Sequence, residues 1–134
     1  MATVLIPEVS KKNKYHIPRH RFYELKHFCL QYKEWKVEVA HIDARVKKEI
    51  VLDGDYSNPT ADQAARYAYF KERIEVVEKC AWLTDETMGK YILLAVTQGL
   101  SFLQLKMQYD MPCSKNTYYD RYRKFFWLLN DLRP

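Results

Sequence analysis

Apolar residues recur every three or four positions along most of this chain, and no stretch keeps a two-residue alternation. From Arg19, the residues Phe22, Leu25, Phe28, Tyr32, Trp35, Val39, Ile42 and Val46 are spaced 3, 3, 4, 3, 4, 3 and 4. A stripe sustained at that period predicts a helix lying along a partner helix. Asp53-Gly-Asp-Tyr-Ser-Asn-Pro59 is a dense cluster of turn formers. A second stripe follows at Ala64, Tyr67, Lys71, Ile74, Val77 and Ala81, with Phe70 able to take the place of Lys71. Two such helices and one connector most simply make an antiparallel hairpin over residues 19–83, with Trp35 and Ile74 in its seam.

The last third reads as three shorter helices. Thr84 is an N-cap candidate followed by two first-turn acids, Met88, Tyr91, Ile92 and Ala95 form a stripe, and Gly99 supplies a stop. Ser101 caps the next helix, with Phe102, Leu105 and Tyr109 pointing inward, and Met111-Pro-Cys is the turn into Ser114. From that cap, Tyr118, Tyr122, Phe125 and Leu129 make one buried side of a final helix, leaving Lys115, Asn116, Tyr119, Asp120 and Arg123 opposite. A helix buried along one side and lined with amide, phenol and guanidinium groups along the other suits reading of the DNA major groove. The expected architecture is therefore all-α: an irregular basic arm at residues 1–18, a helical hairpin at 19–83 and a helix-turn-helix domain at 84–134.

Charge sharpens this picture. Residues 1–58 hold eleven Lys/Arg against eight Asp/Glu, residues 59–89 four against six, and residues 90–134 seven against three. Positive charge thus gathers in the final helix and near the N-terminus, as a polyanion partner requires, because neutralising phosphates releases counterions. Lys115 and Asn116, at the helix start, are the expected base readers; Arg121, Arg123 and Lys124 are the expected phosphate contacts.

The run from Gly99 to Leu105 and then Met111-Pro-Cys-Ser-Lys-Asn-Thr-Tyr-Tyr-Asp-Arg-Tyr-Arg-Lys-Phe-Phe126 resembles phage late transcription regulators of the RinA/ArpU type. More distantly it is similar to the promoter-reading helix-turn-helix of sigma factors. The resemblance covers residues ~84–130, about a third of the chain, and its motif is moderately specific. It implies that Ser114, Thr117 and Tyr118 seat the third helix on DNA. It also implies that Lys115, Asn116, Tyr119 and Arg123 face bases or phosphates. The chain departs from sigma-like domains in carrying Lys106 where a small residue is usual and Asp110 where glycine is usual. Its turn is also longer by about two residues than the three or four of a helix-turn-helix.

Other chemistry is poorly served. His16 and His20 flank Pro18 with no Cys or carboxylate to complete a zinc set, and Asp53-Gly-Asp55 lacks the Glu of a calcium loop. Neither a metal nor another cofactor is expected. No Gly-x-Ser-x-Gly, His-Glu-x-x-His or P-loop occurs. Tyr119 beside Arg121 and Arg123 suggests a tyrosine recombinase only faintly, and the expectation is of no enzyme and no small-molecule substrate. Cys29, Cys80 and Cys113 are an odd set without CxxC spacing, which favours reduced, buried thiols and a cytoplasmic setting; the resemblance to phage regulators implies that the cytoplasm is that of a bacterial host cell. Thr3-Val-Leu-Ile6 is too short for a signal peptide, and no segment has the apolar length of a membrane span.

The expected function is sequence-specific regulation of transcription, as a phage late-gene activator binding double-stranded DNA beside RNA polymerase. A packaging subunit that recognises DNA, and a protein-only inhibitor on the same fold, are the alternatives. Phe126 and Trp127 are expected against the hairpin rather than on bases. Leu103 and Met107 are expected to meet the hairpin too, or more sharply RNA polymerase or a second protomer. A homodimer, or a monomer that pairs on DNA or RNA polymerase, is expected with contacts through residues 19–46, since that long stripe exceeds what one short partner helix covers.

Overall fold

Helix-forming stretches separated by short breaks define the molecule. The protein's structure, a computed structural model, describes residues 12–53 and 60–133, with side chains described for 12–48 and 60–133. The connector at 54–59, the calcium-like Asp53-Gly-Asp55 stretch and most of the arm, residues 1–11, lie outside the described residues and side chains. The described residues form six helices and no strand: α1 (Arg19–Leu30), α2 (Tyr32–Asp53), α3 (Ala61–Thr84), α4 (Gly89–Gln98), α5 (Phe102–Tyr109) and α6 (Lys115–Leu132). The all-α expectation holds.

The long stripe from Phe22 does not follow one straight helix. It breaks at Gln31, the single residue between α1 and α2. Beyond that break the partners change: α1 packs on α4 and α6, whereas α2 packs on α3. Phe22 meets Phe126 of α6 edge-on at 5.1 Å, while Phe28 meets Trp35 across the break at 4.8 Å. A heptad spacing reports which side of a helix is apolar, not whether one partner covers its whole length. Farther along the α2–α3 pair, Tyr32 donates to Glu78 at 2.5 Å and Arg66 pairs with Glu38 at 2.9 Å.

The centre of the molecule is α3, which touches α2, α4 and α6. Ile74, Val77, Cys80 and Ala81 form its buried side, and the core runs without a gap from Phe22 and Leu25 through Ile92 and Val96 to Phe125, Phe126 and Leu129. It therefore crosses the expected 83/84 boundary. Of the stripe that motivated contacts through residues 19–46, Phe22, Leu25, Phe28, Tyr32, Trp35 and Ile42 are buried within a single chain, and Val39 and Val46 are half-buried. Cys29 and Cys80 are fully buried, and burial pushes the Cys80 thiol up to about 12. They behave as small hydrophobes rather than as nucleophiles.

The joints between helices show which polar signals the tertiary structure uses. Thr84 does not cap α4; its hydroxyl donates to the Cys80 carbonyl within α3. Asp85 instead caps the turn that leads into α4, its Oδ1 accepting from the N–H groups of Thr87 (2.8 Å) and Met88 (2.9 Å). Gly89 lets α4 approach α3 closely, since a Cβ there would stand 2.9 Å from the Ala81 carbonyl oxygen. At the end of α4, Gly99 adopts φ +68°, the left-handed stop expected of it. Ser101 and Gln104 then form a reciprocal capping box at the start of α5. Leu105 is fully buried, but Tyr109 is exposed rather than inward.

Candidate nucleic-acid interface

The turn between α5 and α6 is set by an unusual backbone position. Asp110, at the C-cap of α5, lies in the left-handed region with φ +52° and ψ +46°. This conformation is free of cost only for glycine and is next best tolerated by Asp and Asn. Met111 then buries its side chain, and its N–H reaches back to the Leu105 carbonyl. At Ser114 the chain enters α6, the Ser114 Oγ accepting from the Thr117 N–H at 3.3 Å and its hydroxyl donating to Thr117 Oγ1 at 3.1 Å. The Thr117 hydroxyl is thus engaged by the cap.

Below this start, Tyr118, Phe125, Phe126 and Leu129 are buried. On the outer side, Lys115 and Asn116 are exposed, and Arg123 and Lys124 are partly so. Among the described residues, no carboxylate lies within ion-pair distance of Lys115, Arg123 or Lys124. Arg123 Nε is shut off from solvent without a hydrogen-bond partner among those residues.

Arg121 is placed differently from the other cations of α6. Its Nε donates to Asp85 Oδ2 at 2.8 Å and its NH1 to Asp120 Oδ2 at 2.5 Å. Asp85 therefore uses one oxygen to cap the α4 turn and the other to hold α6. The Arg121 guanidinium, with the N–H groups of Met88 and Thr87, holds the Asp85 carboxyl below the usual carboxylate range. Arg121 is engaged in this tether and does not join the open cations. Tyr119 also has a packing role: its ring lies 6.4 Å from Phe102 and 5.1 Å from Tyr118, part of an aromatic joint between α5 and α6. The structure brings Lys115, Asn116, Arg123 and Lys124 to the outer side of one helix, and it sets Arg121 and Tyr119 in its joints.

Three further placements bear on this surface. Phe126 is buried against Phe22, as its off-stripe position suggested, but Trp127 is 37% exposed and packs on Tyr15 of the arm at 5.5 Å. Leu103 and Met107 are not covered by the hairpin; they are 64% and 78% exposed. Arg21 of α1 closes the end of α6, donating from Nε to Asn130 Oδ1 at 2.7 Å and from NH2 to the Arg133 carbonyl at 2.5 Å. The engagement of Asp85 had a sequence signal, an acid just after Thr84. The arm's contact had only Ile17, an apolar residue isolated between His16 and Pro18.

Among the described residues, no group of three or more His, Cys, Asp or Glu is arranged to hold a metal, and no helix is long and apolar enough to cross a membrane. No protein-family model matches the chain, and neither a curated protein nor a solved structure matches it significantly.

Proposed function

We propose that this protein binds double-stranded DNA and regulates transcription, with α4, α5 and α6 acting as a helix-turn-helix and α6 as its reading helix. One observation carries the reading. The capped helix α6 is anchored by buried Tyr118 and Phe125, while Lys115, Asn116, Arg123 and Lys124 stand on its outer side without an acidic partner among the described residues. Lys115 and Asn116 supply hydrogen-bonding groups for base edges, and Arg123 and Lys124 supply charge for phosphates. The left-handed Asp110 supports the reading, because it occupies the position where similar domains carry glycine. The finer parts, a phage late-gene activator working beside RNA polymerase, rest on the resemblance of residues ~84–130 to such regulators. Leu103 and Met107, exposed four residues apart on α5, are apolar surface left open to a protein partner.

Titration of labelled duplexes over a range of salt tests the reading. Duplex binding should weaken linearly in log salt. Asn116→Ala should relax sequence preference by about 1–3 kcal/mol at the contacted base, whereas Lys124→Ala should weaken all duplexes alike. Equal profiles for the two variants would refute the division of labour, and absence of salt-dependent duplex binding would refute the function. Footprinting on the DNA neighbouring the gene, with and without polymerase, separates an activator from a packaging subunit.

A further inference from the structure

The outer side of α6 does not end at Arg123. Trp127 lies four residues beyond Arg123 and eleven, about three turns, beyond Asn116, so it continues the side that carries both. Trp127 is where the N-terminal arm sits. The Tyr15 ring packs on it at 5.5 Å, and the Lys14 ammonium stands 4.9 Å from the centre of the Tyr15 ring. A local turn shapes the arm before this contact, and a buried side chain anchors it after. Asn13 Oδ1 accepts from the Tyr15 N–H at 2.8 Å, its carbonyl accepts from the His16 N–H at 3.1 Å, and Ile17 is buried in the core. Residues 12–20 hold Lys12, Lys14 and Arg19, all exposed, and no acid.

We infer that the segment Lys12–His20 is a second part of the nucleic-acid surface, docked through Tyr15 on Trp127 so that Lys12 and Lys14 meet the phosphate backbone flanking the groove that α6 enters. The inference rests on the reading of α6 given above. Trp127 lies eleven residues beyond Asn116, about 16 Å along the helix axis at about 1.5 Å per residue. The major groove is about 12 Å wide. A helix whose start lies in the groove therefore carries its Trp127 end past the rim, where the sugar-phosphate strand runs. Cations are wanted at that place, and α6 itself supplies none there: after Lys124 its next charged residue is Asp131. The arm makes good that deficit.

The test is the salt dependence of binding to one duplex, measured for the full chain and for four variants. Two phosphates lost should lower the slope of log affinity against log salt by about 1.8, and lower affinity at 0.1 M salt on the order of tenfold or more. K12A/K14A is expected to show this change without altering the melting temperature, since both side chains are exposed. Trp127→Ala is expected to flatten the slope in the same sense while removing no charge, and Trp127→Phe to restore it. K33A/K36A, which removes two exposed cations from α2, is expected to leave the slope unchanged. A K12A/K14A slope equal to that of the unaltered chain would overturn the arm's role and leave α6 as the reader. An equal loss from K33A/K36A would overturn it as well, by reducing the effect to net charge. An unaltered chain with no salt-dependent duplex binding would overturn both inferences together.

Discussion

Arg121 separates a charge that faces a partner from a charge that holds the fold, and the difference is measurable. Its guanidinium bridges α6 to Asp85 at the α3–α4 joint, with the two side chains 34% and 23% exposed. At that exposure an ion pair contributes about 0.5–1 kcal/mol. The other Asp85 oxygen caps the N–H groups of Thr87 and Met88, a role that adds about 1 kcal/mol. Arg121→Ala should therefore cost about 0.5–1 kcal/mol and Asp85→Ala about 1.5–2 kcal/mol. In a domain of this length each kcal/mol lowers the melting temperature by about 3–5 °C. The double variant should melt within a few tenths of a kcal/mol of Asp85→Ala alone, because the pair is already lost there. Thermal melts of the four proteins read the cycle, and a duplex titration of Arg121→Ala should keep the slope of the unaltered chain. An Arg121→Ala protein that melts normally but loses about 0.9 from its salt slope would refute the tether and make Arg121 a phosphate contact.

The same carboxylate gives a pH signature. Its ionisation lies below the ordinary Asp range, chiefly through Arg121, so its contribution is complete above about pH 4 and is lost as pH falls through the lowered value. Asp85→Asn should therefore show a shallower fall in melting temperature below about pH 4 than the unaltered chain, and an identical fall would count against the pairing. Trp35, buried against Phe28, should cost roughly 3–5 kcal/mol when cut to Ala, whereas exposed Lys33→Ala should stay within about 0.5 kcal/mol; equal melts would refute the seam. Gly89→Ala should destabilise by about 1–3 kcal/mol through its clash with the Ala81 carbonyl. A gain of about 0.5–1 kcal/mol, as at an unobstructed helical glycine, would show that α3 and α4 are not so close.

Local signals in the sequence carried most of the helices, two caps and one stop. The three-to-four spacing gave the helices and their apolar sides, Ser101 and Ser114 gave two caps, and Gly99 gave a left-handed stop, because each depends on residues within one turn of itself. The exposed Lys115 and Asn116 followed from the same periodicity. Partner choice did not. The spacing from Phe22 to Val46 is unbroken in sequence, yet one residue at Gln31 redirects α1 onto α4 and α6 while α2 turns to α3. An apolar side records that it is covered, not by what. Arg121, Arg123 and Lys124 look alike as a cluster of cations, and the arrival of Asp85 from thirty-six positions away, beside the neighbouring Asp120, withdraws Arg121 from it. Thr84 and Asp85 are both good caps by composition; the carbonyl of Cys80 engages the Thr84 hydroxyl and leaves the role to Asp85. Tyr15 and Trp127 stand at opposite ends of the chain, and the packing of α1 on α6 is what brings the basic arm to the helix it extends.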